Sequence, residues 1–283
     1  MIRFGDRSSA SHTGTVRPAD AEYYDHDYFD ILTRRYVRRV RFSTCRIRNV
    51  LDTCGVGDFL PRARVLDLGC GMGTFAHEFA ARGAMAVGLD FAAAAVQAGV
   101  RVARQTATRC VPSFARGQAE RLPFADGVFD LVVAADFTEH LNLPLLRRVF
   151  SEAFRVLARG GRMVVYTPNP DHIFERLRDY RFLLRPDPSH TSIMCLDELT
   201  EELSGAGFVC TRAFHRPSHL PVFSIVERLL APVPALGRLF RRRLCIRARR
   251  PVSSGTGRRA VTGPQPGCGG PEVEVAQSRA GGE

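Results

Sequence analysis

Residues 64–73 read Arg-Val-Leu-Asp-Leu-Gly-Cys-Gly-Met-Gly, an apolar strand that runs into a glycine-rich turn with an acid, Asp67, at its mouth. Gly69, Gly71 and Gly73 recur at every second position, so the backbone can take positive φ and approach a ligand with no Cβ in the way. Residues 74–83, Thr-Phe-Ala-His-Glu-Phe-Ala-Ala-Arg-Gly, place apolar side chains at helical spacing between a threonine and a closing glycine. Residues 86–90, Ala-Val-Gly-Leu-Asp, then form a second short strand. It ends in a carboxylate about 17 residues past Gly73, where a ribose diol is met in such a unit. Strand, glycine turn, helix and strand together read as a nucleotide-type cofactor site.

The spacing of the turn separates two cofactors. A dinucleotide fingerprint is G-x-G-x-x-G, with a neutral loop that holds a pyrophosphate at a helix N-terminus. This loop is G-x-G-x-G, and Asp67 would repel a diphosphate while favouring the ammonium and sulfonium charges of S-adenosylmethionine. Residues Val65 to Gly73 resemble the first motif of class I S-adenosylmethionine-dependent methyltransferases. Residues 116–124, Arg-Gly-Gln-Ala-Glu-Arg-Leu-Pro-Phe, resemble that family's adenine-lining segment, with Gln118 where an aspartate is commoner. A Gln amide still accepts and donates, and Ala119 offers its backbone N–H. Residues 129–141 resemble the family's fourth strand, and 145–167 its next helix, turn and strand, through the phrase R-V-L-x-x-G-G at Arg155 to Gly161. The resemblance covers roughly residues 60–250, and the ordered set of motifs is more specific than any one of them.

Strand candidates at 64–69, 86–90, 111–116, 129–136 and 162–167, separated by helical stretches, read as an α/β doubly wound sheet. Segments 208–214 and 244–248 alternate as strands, and the resemblance makes them a closing antiparallel hairpin. The expected fold is a Rossmann-like sheet of seven strands, mostly parallel with an antiparallel last strand, and helices on both faces. Residues 1–20 read as disordered and 21–60 as a helical cap, with Tyr23 to Leu51 as one amphipathic helix. The methyltransferase domain spans 61–250, and 251–283, rich in Gly, Ser, Pro and Arg, reads as a disordered tail. Within the domain, 217–240 is a long apolar insertion with helical periodicity. Four uses stay open for it: a lid over an apolar substrate, a dimer face, a membrane-surface helix, or a helix packed on the sheet.

A chain of 283 residues with 45% apolar content buries one sizeable core. The net charge of +11 is carried by arginine alone, and about +6 of it falls beyond residue 240, which reads as solvated charge. A nucleic-acid partner is not expected, and the fourth-strand loop Asp136-Phe-Thr-Glu139 lacks the Asp/Asn-Pro-Pro-aromatic signature of enzymes that methylate bases in nucleic acids. The eight cysteines never fall as C-x-x-C, so free thiols are expected and a metal is not. With no apolar leader and no run long enough to span a membrane, the reading is a cytoplasmic protein.

The resemblance implies a cofactor set of Asp67, Gly69, Cys70, Gly71, Gly73, Asp90, Phe91, Gln118, Ala119, Glu120 and Asp136. Two histidines are candidate bases: His140 after the fourth strand, and His190 in the loop after the fifth. Asp136 and Glu139 read as contacts to the methionine amine of the cofactor or as supports for His140, and Tyr23 and Tyr24 as aromatic packing or as contacts to the cofactor from the N-terminal helix. The expected reaction is methyl transfer to a small or lipid-like acceptor, at oxygen, with S-adenosylhomocysteine as coproduct. The alternatives are a nicotinamide-dependent oxidoreductase on a similar sheet, or a non-catalytic RNA- or membrane-binding protein.

Overall fold

The computed structural model describes residues 26–38, 41–55, 61–106, 109–179, 191–217, 221–233, 237–252 and 273–274. The expected tail and N-terminal disorder, Tyr23, Tyr24 and His190 lie outside these residues, apart from 251–252 and 273–274 of the tail. Five strands, β1 (Arg64–Leu68), β2 (Met85–Asp90), β3 (Ser113–Arg116), β4 (Phe129–Ala135) and β5 (Leu157–Pro168), pair in parallel. Then β6 (Val209–Arg216) and β7 (Arg243–Arg249) complete the expected seven, with β7 antiparallel to both β5 and β6. An eighth strand, β8 (Val273–Glu274), adds two residues to the edge beside β6, in a segment read as tail. The order is β3-β2-β1-β4-β5-β7-β6-β8, so the chain switches sides between β1 and β4. Ligands of open α/β sheets bind at the carboxyl ends of the strands at such a switch point.

Strands covered on both faces read as continuous apolar runs, and Leu131 to Ala134 in the middle of β4 are fully buried. Alternation sorts their side chains into two cores. Val65, Leu131, Val133, Val164 and Cys245 face α2 (Arg41–Cys54), α3 (Thr74–Ala81) and α4 (Ala93–Gln105). Leu66, Leu68, Val132, Met163 and Ile246 face α5 (Leu143–Val156) and α7 (Leu196–Gly205). Helix α5 buries Leu146, Val149, Phe150 and Ala153, spaced by threes and fours, and Asn142 caps it by accepting from the Leu145 N–H at 3.0 Å.

Three elements differ from the sequence reading. In place of the single helix expected over 23–51 there are two, α1 ending at Val37 (His26–Val37) and α2 starting at Arg41. Helix α1 packs beside α4, where Arg101 and Asp30 pair at 2.9 Å, whereas α2 packs on β5 and β7, and one straight helix cannot follow both directions. The turn expected at 158–162 is an excursion inside β5: Leu157 pairs with Phe129 and Arg162 with Leu131, with Gly160 at φ 78° in the intervening stretch. A short helix, α6 (Ile173–Asp179), occupies what was read as loop, and the periodic part of the 217–240 insertion is α8 (Pro221–Leu230).

Candidate active site

The glycine turn carries left-handed φ at Gly69 (61°), Gly71 (54°) and Gly73 (80°). Two of these glycines are required by the protein's own rings. A Cβ on Gly69 would meet the Phe137 side chain, and one on Gly73 would meet the Phe114 side chain. Above Gly71, among the described residues, only the Phe29 ring of α1 comes near, at an ordinary 3.4 Å from a Cβ position.

Backbone hydrogen bonds fix the turn. Cys70 N–H donates to the Leu89 carbonyl at 3.1 Å, tying the turn to β2, and Gly73 N–H donates back to the Cys70 carbonyl at 2.8 Å. Gly71 N–H donates to Asp90 Oδ2 at 2.9 Å, and Ala92 N–H to Asp90 Oδ1 at 2.9 Å, so Asp90 joins the turn to the start of α4. Asp67 Oδ2 accepts from Ala76 N–H at 3.1 Å. Gly73, at the N-cap of α3, supplies no side-chain acceptor, and the buried Asp67 carboxylate serves the helix's first turn instead.

Burial pushes the Asp67 carboxyl up to about 7 against the opposing Ala76 N–H. Burial also raises Asp90, opposed by the Ala92 and Gly71 N–H groups. The Cys70 thiol is raised for the same reason, so it stays neutral beside these acids. Next to Asp90, Gly117 N–H donates to its carbonyl at 3.0 Å and leads into the turn of Gln118, Ala119 and Glu120. Gln118 is exposed there and Phe91 is 44% exposed, so both lie at the outer rim of the turn.

A second cluster lies at the end of β4. Asp136 takes φ 52°, rare for a residue with a Cβ, and its N–H donates to the Tyr166 carbonyl at 2.7 Å. Its carboxylate sits between Arg46 Nε and Arg243 Nη1, each at 2.6 Å. Burial acts to raise this carboxyl, but Arg243 and Arg46 hold it below the usual carboxylate range. The neighbouring Glu139, 2% exposed, is pushed up to about 7 by burial and by the Asp136 charge. Thr167 Oγ1 donates to Glu139 Oε2 at 2.9 Å. The N–H groups of Thr191 and Ser192 donate to the Glu139 carbonyl at 2.9 and 3.2 Å, which anchors the residue following His190 at this site. His140, half-buried, lies in the same 3-10 turn as Glu139 (Thr138–His140).

The structure thus brings Asp67, the glycine turn, Asp90, Phe91, Gln118 to Glu120, Asp136 and His140 to the carboxyl ends of four adjacent strands. Sequence reasoning missed Arg46 and Arg243, which clamp Asp136 from α2 and β7, and the aromatic lining of the turn by Phe29, Phe114 and Phe137. The one available signal was the arginine run at 241–243, read as solvated charge or as the basic flank of a membrane-surface helix. Among the described residues no group of three or more His, Cys, Asp and Glu is placed to hold a metal, and the seven cysteines are free thiols.

Residues 65–161 match the sequence family described as a methyltransferase domain. The chain is 34% identical over 136 residues to the demethylmenaquinone methyltransferase of Renibacterium salmoninarum, covering 48% of this chain and 50% of that protein. It is 35% identical over 122 residues to the sterol 24-C-methyltransferase of Yarrowia lipolytica, covering 40% of this chain and 32% of that one. The chain therefore spans half or less of the length of these two relatives. The structure of magnesium protoporphyrin IX methyltransferase from Synechocystis, with bound SAH, shares the fold with a TM-score of 0.62 at 18% identity, over 81% of this chain and 97% of that one.

Proposed function

We propose that this chain, which carries the domain of the class I S-adenosylmethionine-dependent methyltransferases, transfers a methyl group to a small or lipid-like acceptor, at oxygen. One observation carries the reading: two buried carboxyls, Asp67 and Asp90, both raised by burial, flank a glycine turn at the sheet's switch point. Burial outweighs the Arg46 charge that opposes it at Asp67, and two buried carboxyls beside the turn fit a positively charged cofactor and disfavour a diphosphate. Asp67 and the glycine turn would hold the methionine end of S-adenosylmethionine. Asp90 would take the ribose, and Phe91 with Gln118, Ala119 and Glu120 the adenine. When bound, that cofactor supplies a methyl group on a sulfonium whose leaving group is a neutral thioether.

The chain's own residues then position the acceptor, exclude water and accept a proton. Phe29 and Phe137 lie against the glycine turn and would supply apolar cover there. A hydroxyl must lose its proton as it is methylated, and His140 is the proposed acceptor of that proton, with Glu139, poised at about 7, beside it. His190, next to the anchored Thr191, is the second candidate. The relatives named for demethylmenaquinone and for sterol support a lipid-like acceptor, although the sterol 24-C-methyltransferase is named for carbon, and oxygen is the part of the reading that product identification tests.

Calorimetry tests the cofactor. S-adenosylmethionine is expected to bind and NAD(H) not to bind. A cation beside Asp67 lowers a carboxyl that stands at about 7, so binding near neutral pH releases a proton. Affinity rises as pH increases toward 7 and levels off above it. Asp67→Asn removes the proton release and weakens binding by roughly tenfold or more. Equal binding enthalpies in buffers of different ionisation heat would show that Asp67 does not face the cofactor's charge.

The bases are tested by transfer of labelled methyl to a lipid extract. His140→Ala or His190→Ala lowers turnover by about 100-fold with cofactor affinity kept. Should both variants turn over at the wild-type rate, neither His140 nor His190 is the base. Product identification decides between oxygen and carbon or nitrogen.

A further inference from the structure

Helix α8 is oriented the wrong way round for a protein in water. Its one acid, Glu227, points inward and is 1% exposed, while Ile225 and Leu229 point outward at 59% and 69% exposed. Val226 extends the same outward face, and Val233 continues it beyond the helix. A helix on a soluble core shows the reverse, with the apolar stripe buried and the charges outward. The inversion is fixed from within. Glu227 Oε1 lies 3.1 Å from Nε2 of His172, which is itself 1% exposed, so the inward face is held by a buried polar contact. The Phe174 ring of α6 lies 5.1 Å from the Phe223 ring.

The helix sits at the functional edge of the sheet. His172 follows the carboxyl end of β5, and Asn169 Nδ2 donates to the Arg241 carbonyl at 2.6 Å, tying that end to the segment entering β7. Arg243, the first residue of β7, is the partner of Asp136.

Charge decides what covers this face. Arg228 and Arg238 are exposed beside it, and Glu227, turned inward, is the only acid between residues 221 and 240. A second copy of the chain would bring arginine toward arginine, whereas an anionic lipid surface meets both the apolar face and the flanking charge. Among the described residues no helix is long and apolar enough to cross a membrane, so the contact is peripheral.

We propose that α8, with Ile225, Val226 and Leu229 as its inserting face and Arg228 and Arg238 as its flanks, docks this protein on an anionic lipid bilayer. The inference goes beyond the methyl-transfer reading and does not depend on it, because its readout is vesicle binding.

The test is co-sedimentation of the full chain with vesicles of phosphatidylglycerol and phosphatidylcholine, and with vesicles of phosphatidylcholine alone. The wild type is expected to bind the anionic vesicles, less so as salt is raised. Ile225→Ser with Leu229→Ser lowers that binding by at least about tenfold, with an unchanged melting temperature and unchanged S-adenosylmethionine affinity. Arg228→Gln with Arg238→Gln abolishes the preference for anionic vesicles, and this arm decides the matter should the serine variant misfold. No sedimentation of the wild type overturns the proposal. So does a wild-type dimer in light scattering that the serine variant splits, since the face would then belong to a second copy.

Discussion

Gly69→Val is expected to yield a chain that melts far below the wild type and shows no measurable binding of S-adenosylmethionine. The φ of 61° at this position places any side chain in the left-handed region, which costs about 1–2 kcal/mol and more for a β-branched residue. The second cost is steric. A Cβ here would lie 2.8 Å from Cγ of Phe137, the base of the ring, so the whole ring must leave and not merely its tip. Phe137 packs on the core formed by α5 and α7, and its displacement adds about 1–3 kcal/mol. The sum is a large part of the stability of an ordinary domain. The distorted turn also loses the Cys70 link to Leu89 and the approach to Asp90. Gly205→Ala is the control, because open space surrounds its Cβ position and its φ is not left-handed, so it melts at or slightly above the wild type. Thermal melts and calorimetry of both variants check this, and wild-type behaviour of Gly69→Val would refute the packing of Phe137.

What the sequence made legible was local. The glycine turn is a run of consecutive residues whose spacing carries its own geometry, and β4 is an unbroken apolar run, so both could be read without knowing the fold. The Asp136 clamp could not. Arg46 and Arg243 lie far from Asp136 in sequence and meet it only because α2 crosses β5 and β7 at the carboxyl edge. Asp67 was legible as an acid at the turn, but its service to α3 depends on Gly73 offering no side-chain cap, a matter of three-dimensional placement. The break between α1 and α2 carries no proline or glycine, so periodicity ran through it, and only the two different packing partners explain it. The helical period of α8 was readable, whereas its orientation was not, because it hangs on a contact with His172 across the fold.

Asp136→Ala is the second large effect. Removing this carboxylate leaves Arg46 and Arg243 facing each other in a poorly solvated site, and breaking a buried ion pair on one side costs about 3–5 kcal/mol. The Asp136 side chain is 23% exposed, which reduces the ion-pair part of the expectation to about 2–4 kcal/mol, and alanine tolerates the left-handed φ of 52° less well than aspartate. Asp136→Asn separates charge from conformation, since asparagine tolerates left-handed φ and keeps an acceptor, so it should lose less than the alanine variant. Adding Arg46→Met to Asp136→Ala should recover part of the loss, because one of the two cations left facing each other is gone. The clamp also fixes a pH signature. The Asp136 carboxyl is depressed in the folded state, so its contribution is complete above the ordinary carboxylate range and is lost as pH falls through its folded value. Glu139 behaves oppositely. Its carboxyl stands at about 7 through burial and the neighbouring Asp136 charge, so its ionisation opposes folding as pH rises from the ordinary carboxylate range toward 7. With Asp136 removed, that repulsion vanishes and Arg243 is free to act on Glu139, so the Glu139 midpoint moves to lower pH. Titration of Glu139 by NMR in Asp136→Asn reads this directly, and an unmoved midpoint would mean that Asp136 and Glu139 do not share one electrostatic site.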